Sequence, residues 1–277
     1  MRLPCYFFCY NISMGYAFSI QELELSINNT CNLCCSECGF LIPHQPKPTL
    51  TENILQEHCK SLEILRKNNI EIKSLAILGG EPTLNVSFLE KATEAFSFFE
   101  NIRRLEVVTN GLNPKGLSQK TLDLIQKISI SVYKDDVEFV KSWKNFLKRK
   151  APHIETAFRI QKIWDINTGD FFVSDDEAQK LFDSCWYKRH CTTIERSKLF
   201  VCSIAPKHKS DADGLLLTES ITQNEIVEYL TRTVAISHCK RCIPEMHIKK
   251  VQGGIQQDKR DLSKMMENAK LYLNSAD

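Results

Sequence analysis

Residues 28–39 read NNTCNLCCSECG, and four cysteines fall within the eight positions from Cys31 to Cys38. The chain carries 12 cysteines in 277 residues, more than packing needs, so they are disulfides, metal ligands or redox groups. Disulfide frameworks staple small, loop-rich secreted domains, whereas these cysteines stand at C-x2-C and C-x3-C steps that suit chelation. Cys31, Cys35 and Cys38 have C-x3-C-x2-C spacing. Three thiolates on one loop can hold three irons of a [4Fe–4S] cluster and leave the fourth iron open to another molecule. Cys34 offers an alternative C-x2-C-x3-C set with Cys31 and Cys38. A structural zinc knuckle is the plainer reading, but zinc sites use two C-x2-C pairs or Cys with His, and this loop supplies neither.

A second group follows at Cys185, Cys191 and Cys202, with the pair Cys239 and Cys242. Five thiols suffice for one four-ligand site. Zinc on the same thiols would staple this region but could not take an electron. His190 and His238 adjoin cysteines, and an all-cysteine site gives them no ligand role, so they are expected at the surface or behind the ligands.

The elements that must position these groups alternate short apolar runs with amphipathic helical windows, the pattern of repeated βα units over a parallel sheet. Leu23, Leu25 and Ile27 mark a first strand that runs into the cysteine loop. After Pro43, Pro46 and Pro48 a helix is expected near Thr51, with Leu55, Cys59, Leu62 and Leu65 on one face, which makes Cys59 a core residue. Leu75 to Leu78 form a second strand ending at GGEP, then a helix carries Leu89, Ala92, Phe96 and Phe99. Leu105 to Thr109 form a third strand ending in Asn110-Gly111. TLDLIQ gives a short helix, Ile128 to Tyr133 a fourth strand, Val140, Trp143 and Leu147 a fourth helix, and IETAFRIQ a fifth strand. Beyond Gly169 regularity stops, apart from one helix near Ile226 to Leu230. Leu262, Met265, Ala269 and Leu273 have helical spacing and are expected to pack back on the body. In βα proteins the loops at strand carboxyl ends converge, so the cysteine loop, GGEP and TNG face one cavity.

With these motifs, residues 20–165 resemble the radical S-adenosylmethionine superfamily. The resemblance implies an α/β fold, a partial (β/α)6 TIM-like barrel, with a small C-terminal cysteine-rich auxiliary-cluster domain resembling twitch or SPASM modules. The corresponding divisions are an extension at 1–20, a core domain at 21–168, the auxiliary domain at 169–250 and a C-terminal helix at 251–277. It implies a [4Fe–4S] cluster on Cys31, Cys35 and Cys38, whose open iron binds S-adenosyl-L-methionine, and a GGEP segment, Gly79, Gly80, Glu81 and Pro82, beside the methionine amino group. Asn110 and Ser131 are placed at the ribose or carboxylate, with Arg159 a further candidate. The sequence departs from the family at Glu37, where an aromatic residue near the adenine is common, with Phe40 two places beyond Cys38. For a second, auxiliary [4Fe–4S] cluster the resemblance implies Cys202, Cys239 and Cys242 with either Cys185 or Cys191. The Cys185 to Cys202 gap is close to that of aminocyclitol dehydrogenases, whereas Cys191-x10-Cys202 matches part of the SPASM pattern.

The activity so implied is reductive cleavage of S-adenosylmethionine to a 5′-deoxyadenosyl radical that abstracts hydrogen from a C–H bond. The auxiliary cluster would take the second electron of an oxidation. The short stretch before Cys31 favours a small polar metabolite, sugar or aminocyclitol-like, over a peptide to be crosslinked or epimerised. An electron donor such as flavodoxin or ferredoxin is the expected protein partner. A non-catalytic metal-binding or regulatory protein is the alternative of another class. Net charge is +2, from 36 basic and 34 acidic residues, so no global field draws the chain to nucleic acid or a membrane surface. The basic run Lys148 to Lys150 reads as a solvated helix end. Residues 1–20 begin like a signal peptide, but Pro4, Asn11, Ser13 and Gly15 break them, which favours a buried strand or extension, and the thiols favour the cytoplasm.

Overall fold

The computed structural model describes residues 15–46, 52–166, 172–208, 211–242 and 250–276. Residues 1–14 of the expected extension lie outside the described residues, as do Pro48, Thr51 and Gly169. In chain order the elements are β1 (Phe18–Ile20), β2 (Leu23–Ser26), α1 (Glu52–Lys67), β3 (Ile70–Ile72), β4 (Leu75–Leu78), α2 (Val86–Ser97), β5 (Leu105–Thr109), α3 (Gln119–Leu124), β6 (Lys127–Val132), α4 (Val137–Lys150), β7 (Glu155–Ile160), β8 (Ile163–Trp164), α5 (Asp175–Ser184), α6 (Tyr187–His190), β9 (Thr192–Glu195), β10 (Lys198–Phe200), β11 (Leu215–Leu216), α7 (Gln223–Leu230), β12 (Val251–Gln252) and α8 (Leu262–Ser275). No helix among the described residues is long and apolar enough to cross a membrane.

The main sheet has the order β11-β10-β9-β2-β4-β5-β6-β7. Strands β2, β4, β5, β6 and β7 are mutually parallel, and a helix lies between each and the next in sequence. β9 adds a sixth parallel strand at the free edge of β2, with Leu23 opposite Thr192, and β10 and β11 follow antiparallel. The cysteine-rich segment thus continues the same sheet across the 168/169 boundary. β1 pairs with β3 and β12 with β8 in two separate ribbons.

The sheet is curled. β2 and β7 are four strand spacings apart, roughly 19 Å in a flat sheet. Arg159 of β7 nevertheless approaches Glu22, which leads into β2, at 3.9 Å. Only a sheet bent toward a barrel brings those groups within a side chain's reach.

Alternation along the strands explains what lies on each face. In β6, Ile128, Ile130 and Val132 are buried in the core, while Lys127 and Ser131 line an internal cavity. In β2, Leu23 and Leu25 join the core and Glu24 lines the cavity, together with the preceding Glu22. The helices therefore cover an apolar outer face, and the concave face is polar.

α8 closes one side of the molecule against α4, as its helical spacing implies. Phe146 and Tyr272 meet at 6.4 Å between ring centres, and Phe139, Trp143, Phe146 and Leu147 of α4 are buried. Each such side chain contributes at most about 1.5–3 kcal/mol, so burial outweighs the Lys270–Asp136 pair at 3.0 Å, which at partial exposure is worth about 1 kcal/mol or less. The basic run is solvent-facing, with Lys148 and Arg149 exposed, and Arg149 has a further contact: its guanidinium donates to the carbonyls of Leu273 at 2.8 Å and Ala276 at 3.1 Å, satisfying the exposed end of α8.

Candidate functional site

β2 ends at Ser26, and the chain turns into the cysteine loop above the sheet. Cys31, Cys35 and Cys38 all line one cavity of about 760 Å³. Cys34 does not line it; its thiol lies 3.8 Å from Gln257 Oε1. Burial pushes the Cys31 thiol up to about 12, helped by the charges of Glu81, Cys35 and Cys38, and Cys35 up to about 11. Burial also raises Cys38, against three backbone N–H donors from Phe40, Leu41 and Ile42. Metal uptake must displace these protons. N–H groups aim at the sulfurs: Leu33 N and Asn110 Nδ2 reach Cys31 Sγ at 3.4 and 3.7 Å, and Gln256 Nε2 reaches Cys35 Sγ at 3.3 Å. Three thiols on one loop, Cys35 buried and Cys31 and Cys38 half-buried, each with N–H donors at the sulfur, fit an iron–sulfur cluster.

GGEP is knitted to that loop by backbone contacts. Gly80 N–H donates to Asn28 O at 3.0 Å and Glu81 N–H to Thr30 O at 2.8 Å. A Cβ on Gly79 would lie 2.5 Å from Asn28 O, and one on Gly80 2.2 Å from Thr30 O. The close approach these glycines permit is therefore to the cysteine loop itself. Glu81 is fully buried, and desolvation raises its pKa against several hydrogen bonds. Its carboxylate accepts from Thr83 N at 3.0 Å, Thr83 Oγ1 at 2.7 Å, Thr109 Oγ1 at 2.7 Å and Asn110 N at 2.7 Å. Pro82 opens the short turn that follows. Asn110 Nδ2 also holds Asn32 Oδ1 at 2.7 Å, so Asn110 ties strand β5 to the cysteine loop as well as lining the cavity.

Ser131 lines the cavity and hydrogen-bonds Tyr133, which stacks edge-on against Trp164 at 5.3 Å. Glu37, Phe40, Trp186 and Tyr187 complete much of the wall. The polar floor comes from the strands. Glu106 is fully buried and accepts from Ser129 Oγ, Lys127 Nζ at 3.0 Å and Arg159 at 3.4 Å. Glu22, Glu24 and Cys191 bring their ligand-type atoms within 4.8 Å of one another.

Of the downstream cysteines, Cys191 faces this cavity and hydrogen-bonds Glu24. The other four gather elsewhere. Cys185 caps the end of α5, Cys202 follows β10, and Cys239 and Cys242 lie in a turn where Cys242 N–H donates to Cys239 O at 3.3 Å. Burial pushes Cys202 up to about 12, with Cys185 and Cys242 adding to the rise. Burial likewise pushes Cys239 to about 12, with Cys242 and Cys185 contributing. Both pack on a small core of Phe182, Phe200, Val201, Ala205 and Ile236. Asp213 accepts from Ser237 N and His238 N, each at 2.8 Å, and so fixes the second turn. His238 is buried against His208 at 5.1 Å, so it is not at the surface; His190 stacks on Trp186 at 4.7 Å.

Sequence reasoning missed Glu22, Glu24, Glu106 and the strap residue Gln256. The first two were marked by alternation: in QELELSI, Glu22, Glu24 and Ser26 interleave with Leu23, Leu25 and Ile27. A parallel strand covered on both faces reads as a continuous apolar run, so a polar alternate face signals a polar interior. Nothing in the QGGIQQ stretch announces its contact with the cysteine loop.

The fold and site together define a curled, mostly parallel α/β sheet with a three-thiol loop at the carboxyl end of β2 and a separate four-thiol group beside its extended edge. No protein-family model and no curated protein matches the chain. Among solved structures it is similar to BtrN in complex with AdoMet and 2-DOIA, at 14% identity and a TM-score of 0.45, covering 77% of this chain and 82% of that one. It is also similar to anSMEcpe with bound AdoMet, at 14% identity and a TM-score of 0.43 over 81% and 83% of the two chains. SuiB of Streptococcus suis, bound to S-adenosylmethionine, matches at 11% identity with a TM-score of 0.28 over 68% and 61%.

Proposed function

We infer that this chain is a radical S-adenosylmethionine enzyme acting on a small polar metabolite. The observation that carries the reading is the Cys31, Cys35 and Cys38 set, which lines one cavity on a loop that is tied through Asn28 and Thr30 by backbone bonds to Gly80 and Glu81. Those cysteines would hold a [4Fe–4S] cluster with an open iron for S-adenosylmethionine. When bound, the pair supplies a radical able to abstract hydrogen from an unactivated C–H bond. The chain's own residues do the rest. Phe40, Tyr133, Trp164, Trp186 and Tyr187 wall the cavity with aromatic surface that keeps water from a reactive centre. Glu81, through its four accepted hydrogen bonds, fixes the GGEP segment against β5 and the cysteine loop. Arg159, Glu22 and Glu24 supply charged groups to hold a substrate in one orientation.

Cys185, Cys202, Cys239 and Cys242 would hold an auxiliary [4Fe–4S] cluster, able to take one electron of a two-electron oxidation. Their mutual electrostatic influence supports Cys185 over Cys191 as the fourth ligand.

The test is anaerobic reconstitution with iron and sulfide, then a dithionite-driven assay for 5′-deoxyadenosine. Cluster assembly with no cleavage of S-adenosylmethionine, even with polyol and amino-polyol candidates present, leaves the non-catalytic reading in its place.

A further inference from the structure

We propose that Glu22 and Glu24 form a recognition pocket for a primary ammonium group, so that the small molecule bound in the cavity is an amine. The proposal rests on the enzyme reading above and names the substrate class of that same site.

Glu22, Glu24 and Glu106 share the concave side of the sheet, and they are not equivalent. Glu106 is satisfied by Lys127, Arg159, Ser129 and, at 3.4 Å, Ser74. Among the described residues the Glu22 side chain pairs with Arg159 alone, at 3.9 Å, and shares it with Glu106. Glu24 is 5% exposed and lines the cavity. It takes hydrogen bonds from the Ser203 hydroxyl and the Cys191 thiol, yet its Oε2 is buried with no hydrogen-bond partner among the described residues. A buried acceptor left unpaired costs about 1–3 kcal/mol, more when charged. The side chain that carries that acceptor lines the cavity, beside a second carboxylate.

Burial raises the Glu24 carboxyl to about 7, so at pH 8, where the pair is ionised, the group that completes it donates hydrogen bonds and carries positive charge. An ammonium offers three N–H donors and no acceptor, which matches two neighbouring carboxylates of which one oxygen, Glu24 Oε2, has no donor among the described residues. A metal ion suits the same atoms less well. Cys191 donates its thiol proton to Glu24, so within the trio it already serves as a hydrogen-bond donor, the role an ammonium shares and a metal ion does not. Nor do the acids fit the ammonium of S-adenosylmethionine. Glu24 lies four residues before Asn28, which meets Gly80, and that is roughly 13 Å of extended chain. The pair instead lies toward Ser203, which adjoins Cys202. A cavity of about 760 Å³ falls in the range of ordinary small-molecule sites, and the share left by a nucleoside cofactor suits a ring-sized amine.

The experiment compares trans-2-aminocyclohexanol with trans-cyclohexane-1,2-diol, which differ by ammonium for hydroxyl, on the reconstituted protein at pH 8 with S-adenosylmethionine present. Binding is read by saturation-transfer NMR titration. The amine is expected to bind about tenfold tighter than the diol, and Glu24→Gln and Glu22→Gln are each expected to remove most of that preference with near-UV circular dichroism unchanged. Glu22 is the less buried of the two, so Glu22→Gln keeps the test intact if Glu24→Gln fails to fold. Equal binding of the two probes, no binding of either, or a preference that survives Glu22→Gln overturns the proposal. So does a stoichiometric zinc or manganese ion held by the wild type and lost in Glu24→Gln, which would make the cluster a metal site. Formation of 5′-deoxyadenosine is followed on the same samples. Amine preference without cofactor cleavage keeps the pocket and removes the proposed reaction, and cleavage without preference removes the pocket alone.

Discussion

Gln256 and Cys35 are 221 positions apart, yet one side-chain amide grips the cysteine loop from both ends. Gln256 Nε2 donates to Cys35 Sγ at 3.3 Å, and its Oε1 accepts from Cys34 N at 2.7 Å. The flanking backbone joins in, with Ser36 N–H donating to Ile255 O and Gln257 N–H to Cys34 O, each at 2.8 Å. Gly254, at φ +74° with Tyr133 Cβ 2.8 Å from where its own Cβ would be, lets the strap pass. Hydrogen bonds to cluster sulfurs raise reduction potential, because they favour the more negative reduced state. Gln256→Leu keeps the bulk and removes the donor. The expected outcome is a potential roughly 30–60 mV more negative with unchanged iron content, measured by redox titration followed by electron paramagnetic resonance. An unchanged potential would leave the strap a purely mechanical role.

Gly80 is the tightest point between the two loops. A methyl group there meets the Thr30 carbonyl oxygen at 2.2 Å, and backbone cannot swing aside as a side chain can. Gly80→Ala is therefore expected to cost about 2–3 kcal/mol, seen as a lower urea midpoint, and to lower iron retention at Cys31, Cys35 and Cys38. Gly15→Ala, whose added carbon meets nothing within 4 Å, is the silent control.

Cys185 and Cys191 are six residues apart and part company in space, one raising the pKa of Cys202 and Cys239, the other bonded to Glu24. Reconstituted wild type should carry about eight irons per chain and Cys185→Ser about four, while Cys191→Ser keeps about eight. Iron and acid-labile sulfide assays decide it. Loss of four irons on Cys191→Ser instead would return that thiol to the ligand set.

The helices and central strands were legible because one strand face and one helix stripe are apolar at fixed periods: Leu89, Ala92 and Phe96, or Ile128 and Ile130, announce themselves. Cys31, Cys35, Cys38 and GGEP were legible because their spacing is local. What escaped depends on contacts that no local period encodes. β1 and β3 are three residues each, too short to show alternation. β9 reads as an isolated strand, and only its pairing with β2 reveals that the cysteine-rich segment extends the main sheet. Gln256 is an ordinary polar residue until the chain returns to Cys35. Arg149 is exposed, as its place in a basic run implies, but its cap on α8 could not be read because the carbonyls it serves belong to a helix more than a hundred residues later.

Glu71 of β3 gives the fold a definite acid response. Lys73 Nζ, Ser19 Oγ at 2.6 Å and Arg103 Nε at 2.6 Å surround its carboxylate, and those hydrogen bonds, Lys73 first and Ser19 next, lower its pKa from 4.5 to about 2. The native state thus prefers the ionised form. The stabilisation is fully present above the unfolded value near 4.5 and is lost as pH falls toward 2. Both cationic partners are about half exposed, so screening reduces the full linkage value to about 1 kcal/mol. Wild type should exceed Glu71→Gln in urea-unfolding free energy by that amount at pH 6, and the gap should shrink steadily between pH 4.5 and pH 2. Taking the difference between the two proteins cancels the opposite contributions of Glu22, Glu24 and Glu81, whose pKa values burial raises. A gap that stays constant across that range would mean that Glu71 acts through packing and that its charge contributes nothing.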